Sequence, residues 1–377
     1  MWLIPHQDQP LPSPDHRNCW GQGEFSLHLS AVLLTESGSE RNCTGTAFSR
    51  LQRSPGRPAA CREIFGQSIQ ERVIERLQNN GIREISLLPS AFSRSSEANK
   101  SVAADGGQVL SRVTSILANA SSHGVSSVLI AKVGAYAEFN VERVLKSHRA
   151  AGRGITALCD RQGRRISYWV VNAAGTQAEH LRRVLDGEET DVTSYCIEGY
   201  VNHLETARDF RQLVVDSFLG RCAIHPSGKE IKPGVWAEKG AFIERRCRLV
   251  APVYVGRRAM LGDGSVITRF SNVEENCRIG RESLVSNSSV MPYTAIGAGL
   301  DVTSSVVDGK ELIHVGHDVA MTIHDPALIG DSSRVAKRWG AVRPREKVNY
   351  QPSAEPDSSQ YGSRTAGRVF EVFKGEA

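Results

Sequence analysis

The chain contains no run of 18 or more apolar residues, so the sequence does not predict a helix that crosses a membrane. Aromatic residues make up only 6% of the composition and are not interleaved with a block of basic residues, which argues against nucleic-acid binding. None of the eight cysteines belongs to a Cys-x-x-Cys pair, so a zinc site is not expected. Cysteines scattered through apolar stretches are typical of a reducing compartment, and we expect a cytoplasmic protein that does not bind membranes.

The remaining composition is that of an ordinary globular protein. Of the 377 residues, 40% are hydrophobic and 23% are charged, and this length allows two domains with cores of their own. Residues 1–25 are polar and contain several prolines, which predicts a disordered leader. Residues 329–377 are rich in serine, proline and arginine and lack an apolar period, which predicts a disordered tail.

Apolar strands alternate with amphipathic helices between residues 26 and 220. Strand–helix alternation is typical of a parallel sheet with helices against it, so we predict an α/β doubly wound N-terminal domain. The predicted strands are 26–35, 82–90, 126–133, 154–160 and 164–172, and the predicted helices are 68–81, 108–120, 140–152 and 207–219.

Beyond residue 220 the apolar residues recur every six positions. The nine apolar positions are Ile243, Leu249, Val255, Leu261, Ile267, Val273, Ile279, Val285 and Met291, and the residue two places before each is small in eight of the nine cases. Neither a helix nor an ordinary strand has this period, whereas a parallel β-helix built from hexapeptides has it. We therefore predict a parallel β-helix over residues 221–328, with interior apolar residues and a slip of the period at Ile296.

Three stretches resemble the sugar-nucleotide pyrophosphorylases, the nucleotidyltransferases that join a sugar 1-phosphate to an NTP. They are "AVLLTESGSER" (31–41), "IFGQSIQERVIERLQNNGIREISLL" (64–88) and "GYVNHLETARDF" (199–210). The resemblance implies a nucleotidyltransferase-like domain, here shortened because few residues separate the strand at 164–172 from Gly199. It also implies that the C-terminal β-helix is left-handed.

The positions that carry chemistry in that family are changed here. The counterpart of its glycine-rich phosphate loop is Glu36, Ser37, Gly38, Ser39, Glu40 and Arg41, and only the arginine agrees with the family pattern. Two carboxylates would repel a triphosphate at this place. The family lysine falls near Ala59, and its two metal-binding aspartates fall at Gly134 and His203. We therefore expect a degenerate site with no catalytic residues, no metal and no cofactor.

Three functions remain open from the sequence. The first is a scaffold or regulatory subunit of sugar-nucleotide or polysaccharide metabolism. It would assemble as a homo-oligomer through the β-helix and bind a nucleotide or a protein partner without turnover. The second is an active sugar-1-phosphate nucleotidyltransferase, in which Arg41 contacts the phosphates and Glu36, Glu40 or Asp105 holds Mg²⁺.

The third function is that of a hexapeptide-repeat acyltransferase, since such enzymes also contain this β-helix. They use a histidine as general base at a groove between coils or subunits. The candidate histidines are His225, His314, His317 and His324, of which the last three lie in the segment "HVGHDVAMTIHD" (314–325).

Overall fold

The computed structural model describes residues 29–36, 62–90, 103–189, 192–317 and 319–335. In the N-terminal part of these residues the strands are β1 (Leu29–Glu36), β2 (Glu63–Ile64), β3 (Gln67–Ser68), β4 (Ile85–Ser90), β5 (Ser127–Lys132), β6 (Tyr136–Ala137), β7 (Ile155–Cys159), β8 (Arg165–Asn172), β9 (Thr193–Cys196) and β10 (Val201–Asn202). The helices there are α1 (Ile69–Asn79), α2 (Ala103–Ser122), α3 (Val141–Ala151), α4 (Ala178–Leu185) and α5 (Ala207–Phe218).

These elements build one six-stranded sheet in the order β4-β1-β5-β8-β7-β9. Five strands run in the same direction, but β8 is antiparallel to both of its neighbours, β5 and β7. The prediction of an all-parallel sheet was therefore wrong in this respect. The reason is the short turn from Asp160 to Arg164, because a tight hairpin can join only antiparallel strands.

Helices pack on both faces of this sheet. Alternate residues of β1 point to opposite faces, with Leu33 in the cluster that contains α1, α3 and α5, and Leu34 in the cluster that contains α2 and α4. Helix α1 begins with a capping box, in which Ser68 accepts the Glu71 backbone N–H and the Glu71 side chain accepts the Ser68 backbone N–H. The sequence predicted α1, α2, α3 and α5, and it missed α4.

The C-terminal part consists mainly of short parallel strands. They are β11 (Lys229–Lys232), β12 (Val235–Ala237), β13 (Phe242–Ile243), β14 (Arg248–Leu249), β15 (Val253–Val255), β16 (Met260–Leu261), β17 (Val266–Thr268), β18 (Ser271–Val273), β19 (Arg278–Ile279), β20 (Leu284–Ser286), β21 (Ser289–Val290), β22 (Thr294–Ile296), β23 (Asp301–Thr303), β24 (Ser305–Asp308), β25 (Glu311–His314), β26 (Val319–Thr322) and β27 (Ile329–Asp331), followed by helix α6 (Ser332–Val335).

Strands β12 to β24 pair in parallel, each with the third strand after it, and so form three sheets. We call residues 235–308, which hold these strands, the hexad region. Partners in its first coils are 18 residues apart, as for Val235 with Val253 and Val253 with Ser271. This arrangement is compatible with the predicted β-helix. The apolar positions Val255, Leu261, Ile267, Val273, Ile279 and Val285 are buried together, as predicted.

The period of six breaks earlier than the sequence indicated. From β18 onward the partners are 17 residues apart, as for Val273 with Val290 and Ile279 with Ile296. The slip therefore lies between Val285 and Val290 and not at Ile296. As a result Val290 takes the interior position predicted for Met291, and Met291 is buried in the cluster of the N-terminal helices.

One row of residues across the eight-stranded sheet joins the two parts of the molecule. Trp236, Tyr254, Asn272, Ser289 and Val306 are successive register partners on the face opposite the hexad interior. Tyr254 and Val306 are buried in the same cluster as α1, α3 and α5. The N-terminal helices therefore pack directly on this face of the hexad region.

The last strands described run antiparallel to their neighbours. Strand β25 pairs with β24 and β26, while β27 pairs with β22. Strand β27 and helix α6 extend regular structure to Val335, which is beyond the predicted start of the tail at residue 329. The rest of the predicted tail and the whole predicted leader lie outside the described residues.

Candidate functional site

Five parallel strands of the six-stranded sheet end at one edge, which we call the carboxyl edge. Their last residues are Glu36, Ser90, Lys132, Cys159 and Cys196. In sheets of this kind, ligands are bound at the carboxyl ends of the strands, where loops from several strands meet. The site residues predicted from the sequence are therefore expected at this edge.

Glu36 is the last residue of β1 and is the register partner of Ser90 in β4. This places the start of the predicted phosphate-loop counterpart at the carboxyl edge. The rest of that loop, Ser37, Gly38, Ser39, Glu40 and Arg41, lies outside the described residues, as does Ala59. Asp105 lies in α2, but its side chain is not among those described.

Gly134 follows β5 at the same edge. An added Cβ would have no heavy atom within 4 Å, so the space beside this backbone is open. The position thus has room for a side chain but offers none to a ligand.

His203, the second of the two positions where the metal-binding aspartates of the family are lost, contacts a carboxylate that was not predicted as part of the site. Its Nε2 lies 2.8 Å from Oδ2 of Asp160, and both side chains are largely buried, with 13% and 9% exposed. Asp160 directly follows β7, so its carboxylate lies at the carboxyl edge. The structure therefore brings His203 to this edge, but as a partner of Asp160.

The other oxygen of Asp160 shapes the hairpin between β7 and β8. Oδ1 accepts the backbone N–H groups of Gln162 at 2.9 Å and Arg164 at 2.8 Å. Burial tends to raise the pKa of Asp160, but the bond to His203 and these two N–H bonds together hold it below its usual value. Asp160 is thus ionised near neutral pH and already engaged on both oxygens.

Local backbone geometry fixes the position of His203. The next residue, Leu204, has a positive φ of 51°, and its N–H donates to the Asn202 side chain at 2.9 Å. Two residues further on, Thr206 and Asp209 form the capping box that begins α5. The stretch "GYVNHLETARDF" is therefore a short strand, a turn and a helix start that carry His203 to Asp160.

Exposed arginines contact Asp160 and the nearby residue Glu198. Arg164 Nε lies 3.7 Å from Asp160 Oδ2, and Arg143 Nη1 lies 2.7 Å from Glu198 Oε2. Arg161 donates to the backbone carbonyl of Glu198 at 3.1 Å. The Arg161 bond joins the β7–β8 turn to the segment after β9, and the Arg143 ion pair joins helix α3 to the same segment.

Two thiols meet beside Asp160. Cys159 and Cys196 are register partners at the ends of β7 and β9, and their Sγ atoms are 3.2 Å apart. Neither cysteine is in a disulfide. This pair was not predicted, because β9 was not predicted and nothing in the spacing of residues 159 and 196 places them together.

The structure brings together only two of the four candidate histidines of the acyltransferase reading. The rings of His314 and His317 stack with centroids 4.6 Å apart, and the His317 backbone N–H donates to His314 Nδ1 at 3.2 Å. His225 is exposed between α5 and β11, and His324 is exposed after β26.

Two features are absent from the part of the chain that the structure describes. No group of three or more His, Cys, Asp and Glu residues there is arranged to hold a metal ion. None of the helices there has the length and apolar character needed to cross a bilayer.

Comparison with known proteins identifies no family for this chain. No family model matches the sequence, and no curated protein is significantly similar to it.

Proposed function

We propose that this chain is a cytoplasmic nucleotidyltransferase-like protein without transfer activity. It would act as a scaffold or regulatory subunit in sugar-nucleotide or polysaccharide metabolism. The resemblance of residues 31–41, 64–88 and 199–210 to sugar-nucleotide pyrophosphorylases supports the relationship. The geometry at the carboxyl edge supports the loss of activity.

The hydrogen bonds of the Asp160 carboxylate are the main support for the loss of transfer activity. Nucleotidyl transfer needs a hard cation held by carboxylates against the phosphates. The Asp160 carboxylate instead accepts hydrogen bonds from His203, Gln162 and Arg164. A cation would have to displace these donors, and a protonated His203 would repel it.

Glu36 at the end of β1 gives an electrostatic reason for the loss of activity. Glu36 ends this strand at the carboxyl edge, where a related enzyme has the first glycines of its phosphate loop. A carboxylate at this place disfavours a bound triphosphate.

We further infer that the hexad region is a left-handed parallel β-helix and that it mediates homo-oligomer formation. The parallel pairing of each strand with the third after it supports the β-helix. At its first coil the interior residues Ile243 and Leu249 are only partly buried, and Val250 is 45% exposed. Such an apolar coil end would be covered by another protein surface, for which a second copy is the simplest occupant.

The test of lost activity is a binding and turnover experiment on the purified full chain. ATP, GTP, UTP, CTP and dTTP are titrated by calorimetry with and without Mg²⁺, and pyrophosphate release is followed with a panel of sugar 1-phosphates. We expect no Mg²⁺-dependent tightening and no pyrophosphate. Tight Mg²⁺-dependent binding of one nucleotide, with turnover, would show an active enzyme with a divergent site.

A pair of variants at His203 tests the geometric argument itself. His203→Asp places a second carboxylate beside Asp160, so we expect millimolar Mg²⁺ or Mn²⁺ to raise its melting temperature. His203→Asn is the matched control, because it removes the imidazole without adding a charge, and no cation effect is expected. A wild-type protein stabilised by these cations as strongly as His203→Asp would contradict the argument.

A further inference from the structure

The cysteine pair at the carboxyl edge has the geometry of a dithiol that can close. Cys159 and Cys196 are direct register partners on adjacent parallel strands, and their Sγ atoms lie 3.2 Å apart. Adjacent strands are about 4.8 Å apart, within the roughly 4.4–6.8 Å between Cα atoms that a disulfide spans. We propose that Cys159 and Cys196 form a reversible disulfide when the protein meets a low-molecular-weight disulfide oxidant.

The two thiols differ in access, and this difference gives them different roles. Cys196 is exposed, while the Cys159 side chain is 1% exposed and donates to the Tyr195 backbone carbonyl at 3.3 Å. Only Cys196 can meet an oxidant from solution. Cys159 is held beneath it as the second, resolving thiol.

The electrostatics agree with this order of events. Burial, the hydrogen bond to Cys196 and the negative charges of Cys196 and Asp160 raise the pKa of Cys159 to about 12. Cys159 is thus a neutral thiol at rest and does not react first. Once Cys196 carries a mixed disulfide it no longer contributes a thiolate charge, so one of the causes of the raised pKa disappears.

The exchange proceeds in two balanced steps. In the first, the Cys196 thiolate attacks one sulfur of glutathione disulfide, whose S–S bond breaks, and one glutathione leaves as a thiolate that takes up a proton. In the second, Cys159 loses its proton to solvent and its sulfur attacks Cys196 Sγ, which releases the second glutathione. The protein loses two electrons and two protons, and the oxidant is reduced to two thiols.

The location of the pair gives the disulfide a consequence for the candidate site. It would link β7 to β9 one residue before Asp160, whose carboxylate holds both His203 and the β7–β8 turn. The thiol state would therefore change directly beside the hydrogen-bonded Asp160 carboxylate. This inference does not depend on whether the protein binds a nucleotide.

The experiment uses the full chain equilibrated in glutathione buffers of increasing disulfide fraction, then acid-quenched, alkylated and digested with trypsin. The informative peptides are Gly154–Arg161 and Val184–Arg208, each of which contains one of the two cysteines and no other. We expect these two peptides to become linked in the wild type and to separate again after treatment with dithiothreitol.

Two variants make the result specific. Cys196→Ser alters an exposed side chain and should fold normally by circular dichroism, yet it should abolish the link and leave Cys159 reduced. Cys247→Ser is the control. Cys247 is half-buried beside Ser265 in the hexad region and does not belong to the pair, so the link should persist. Stable glutathione on Cys196 without the link, or linkage of either peptide to another cysteine, would overturn the proposal.

Discussion

Glu274 Oε1 lies 2.9 Å from the backbone nitrogen of Phe65, which joins the hexad region to the turn between β2 and β3. The same carboxylate accepts the Gly66 N–H on Oε2 at 2.9 Å and the Asn272 amide on Oε1 at 2.7 Å. Phe65 has a positive φ of 54°, which a residue with a side chain adopts only when its surroundings impose it. Glu274 thus holds a strained turn from 209 residues away in sequence.

We predict that Glu274→Gln destabilises the protein by about 1–3 kcal/mol. Both Glu274 oxygens accept hydrogen bonds from N–H groups. The substitution replaces one oxygen with an NH₂ group, which would point a donor at one of these N–H donors. The fall in the free energy of unfolding is measured by urea denaturation at pH 7. Glu282→Gln, at an exposed position of the same region, is the control and should change it by less than about 0.5 kcal/mol.

Arg211 of α5 provides a second link between the two parts of the molecule. It is 4% exposed and donates to Asn272 Oδ1, Ser289 Oγ, Asn287 Oδ1 and the Phe270 carbonyl at 2.7–3.2 Å. Burial lowers its pKa, but these four acceptors favour the charged guanidinium.

Arg211→Met should therefore destabilise the protein by about 1–3 kcal/mol, because it removes four hydrogen bonds, two of them to the buried side chains of Asn272 and Ser289. Arg208 lies three residues before Arg211 in the same helix but is exposed, so Arg208→Met should have little effect. The measurement is the melting temperature by calorimetry for both variants. An equal, small change in the two would mean that Arg211 does not join the parts.

The buried His148 should make the stability of the folded protein depend on pH. It is buried, with Nδ1 2.8 Å from Thr156 Oγ1 and Nε2 2.8 Å from Asn172 Oδ1, and burial lowers its pKa. The unfolded chain therefore binds a proton at a higher pH than the folded protein does. The stabilisation is complete above the unfolded pKa of about 6.5 and is lost as the pH falls below it.

The measurement is the free energy of unfolding between pH 7.5 and pH 5 for the wild type and two variants. The wild type should lose about 1.4 kcal/mol for each unit by which the His148 pKa is lowered. His148→Gln should flatten this slope, whereas His123→Gln, at an exposed site, should keep it. An unchanged slope in His148→Gln would assign the pH dependence to other groups.

Two glycines near the carboxyl edge should differ in how much a substitution by alanine destabilises the protein. A Cβ on Gly199 would lie 1.8 Å from the Glu138 carbonyl oxygen, because the backbone of Tyr200 pairs with Glu138 at this point. Gly199→Ala should destabilise the protein by about 1–3 kcal/mol through this clash. Gly134→Ala meets no atom within 4 Å and should change stability by less than about 0.5 kcal/mol. Thermal melts of the two variants make the comparison.

Periodic patterns in the sequence predicted most of the fold. The spacing of Ile69, Val73 and Leu77 identified α1, and the period of six identified the interior of the hexad region, because both depend on repeated local geometry. Helix α4 was missed because it has only eight residues and buries only Leu181 and Val184. The reversed direction of β8 was missed although only three residues separate the strands predicted at 154–160 and 164–172, and so short a link joins only antiparallel strands.

The candidate site was less predictable than the fold. Asp160 is an acidic residue directly after an apolar strand, a pattern that can be recognised in the sequence. The resemblance, however, indicated Gly134 and His203 as the site positions. The contact of His203 with Asp160 joins residues 43 positions apart, and no local pattern encodes it. The pairing of Cys159 with Cys196 likewise depends on strand order, which the sequence does not state.

The shortened repeat between Val285 and Val290 also determines which of the following residues face the N-terminal helices. A chain that kept the count of six would direct Met291 into the hexad interior, away from the helices of the N-terminal part. Dropping a single residue reverses the side to which the following chain points, so that Met291 faces those helices, and a second five-residue step from Val302 to Val307 turns Val306 toward them. Inserting one residue between Ser286 and Ser289 would therefore turn Met291 into the hexad interior, while Tyr254 and Glu274, which precede the insertion, would keep their contacts with the N-terminal part.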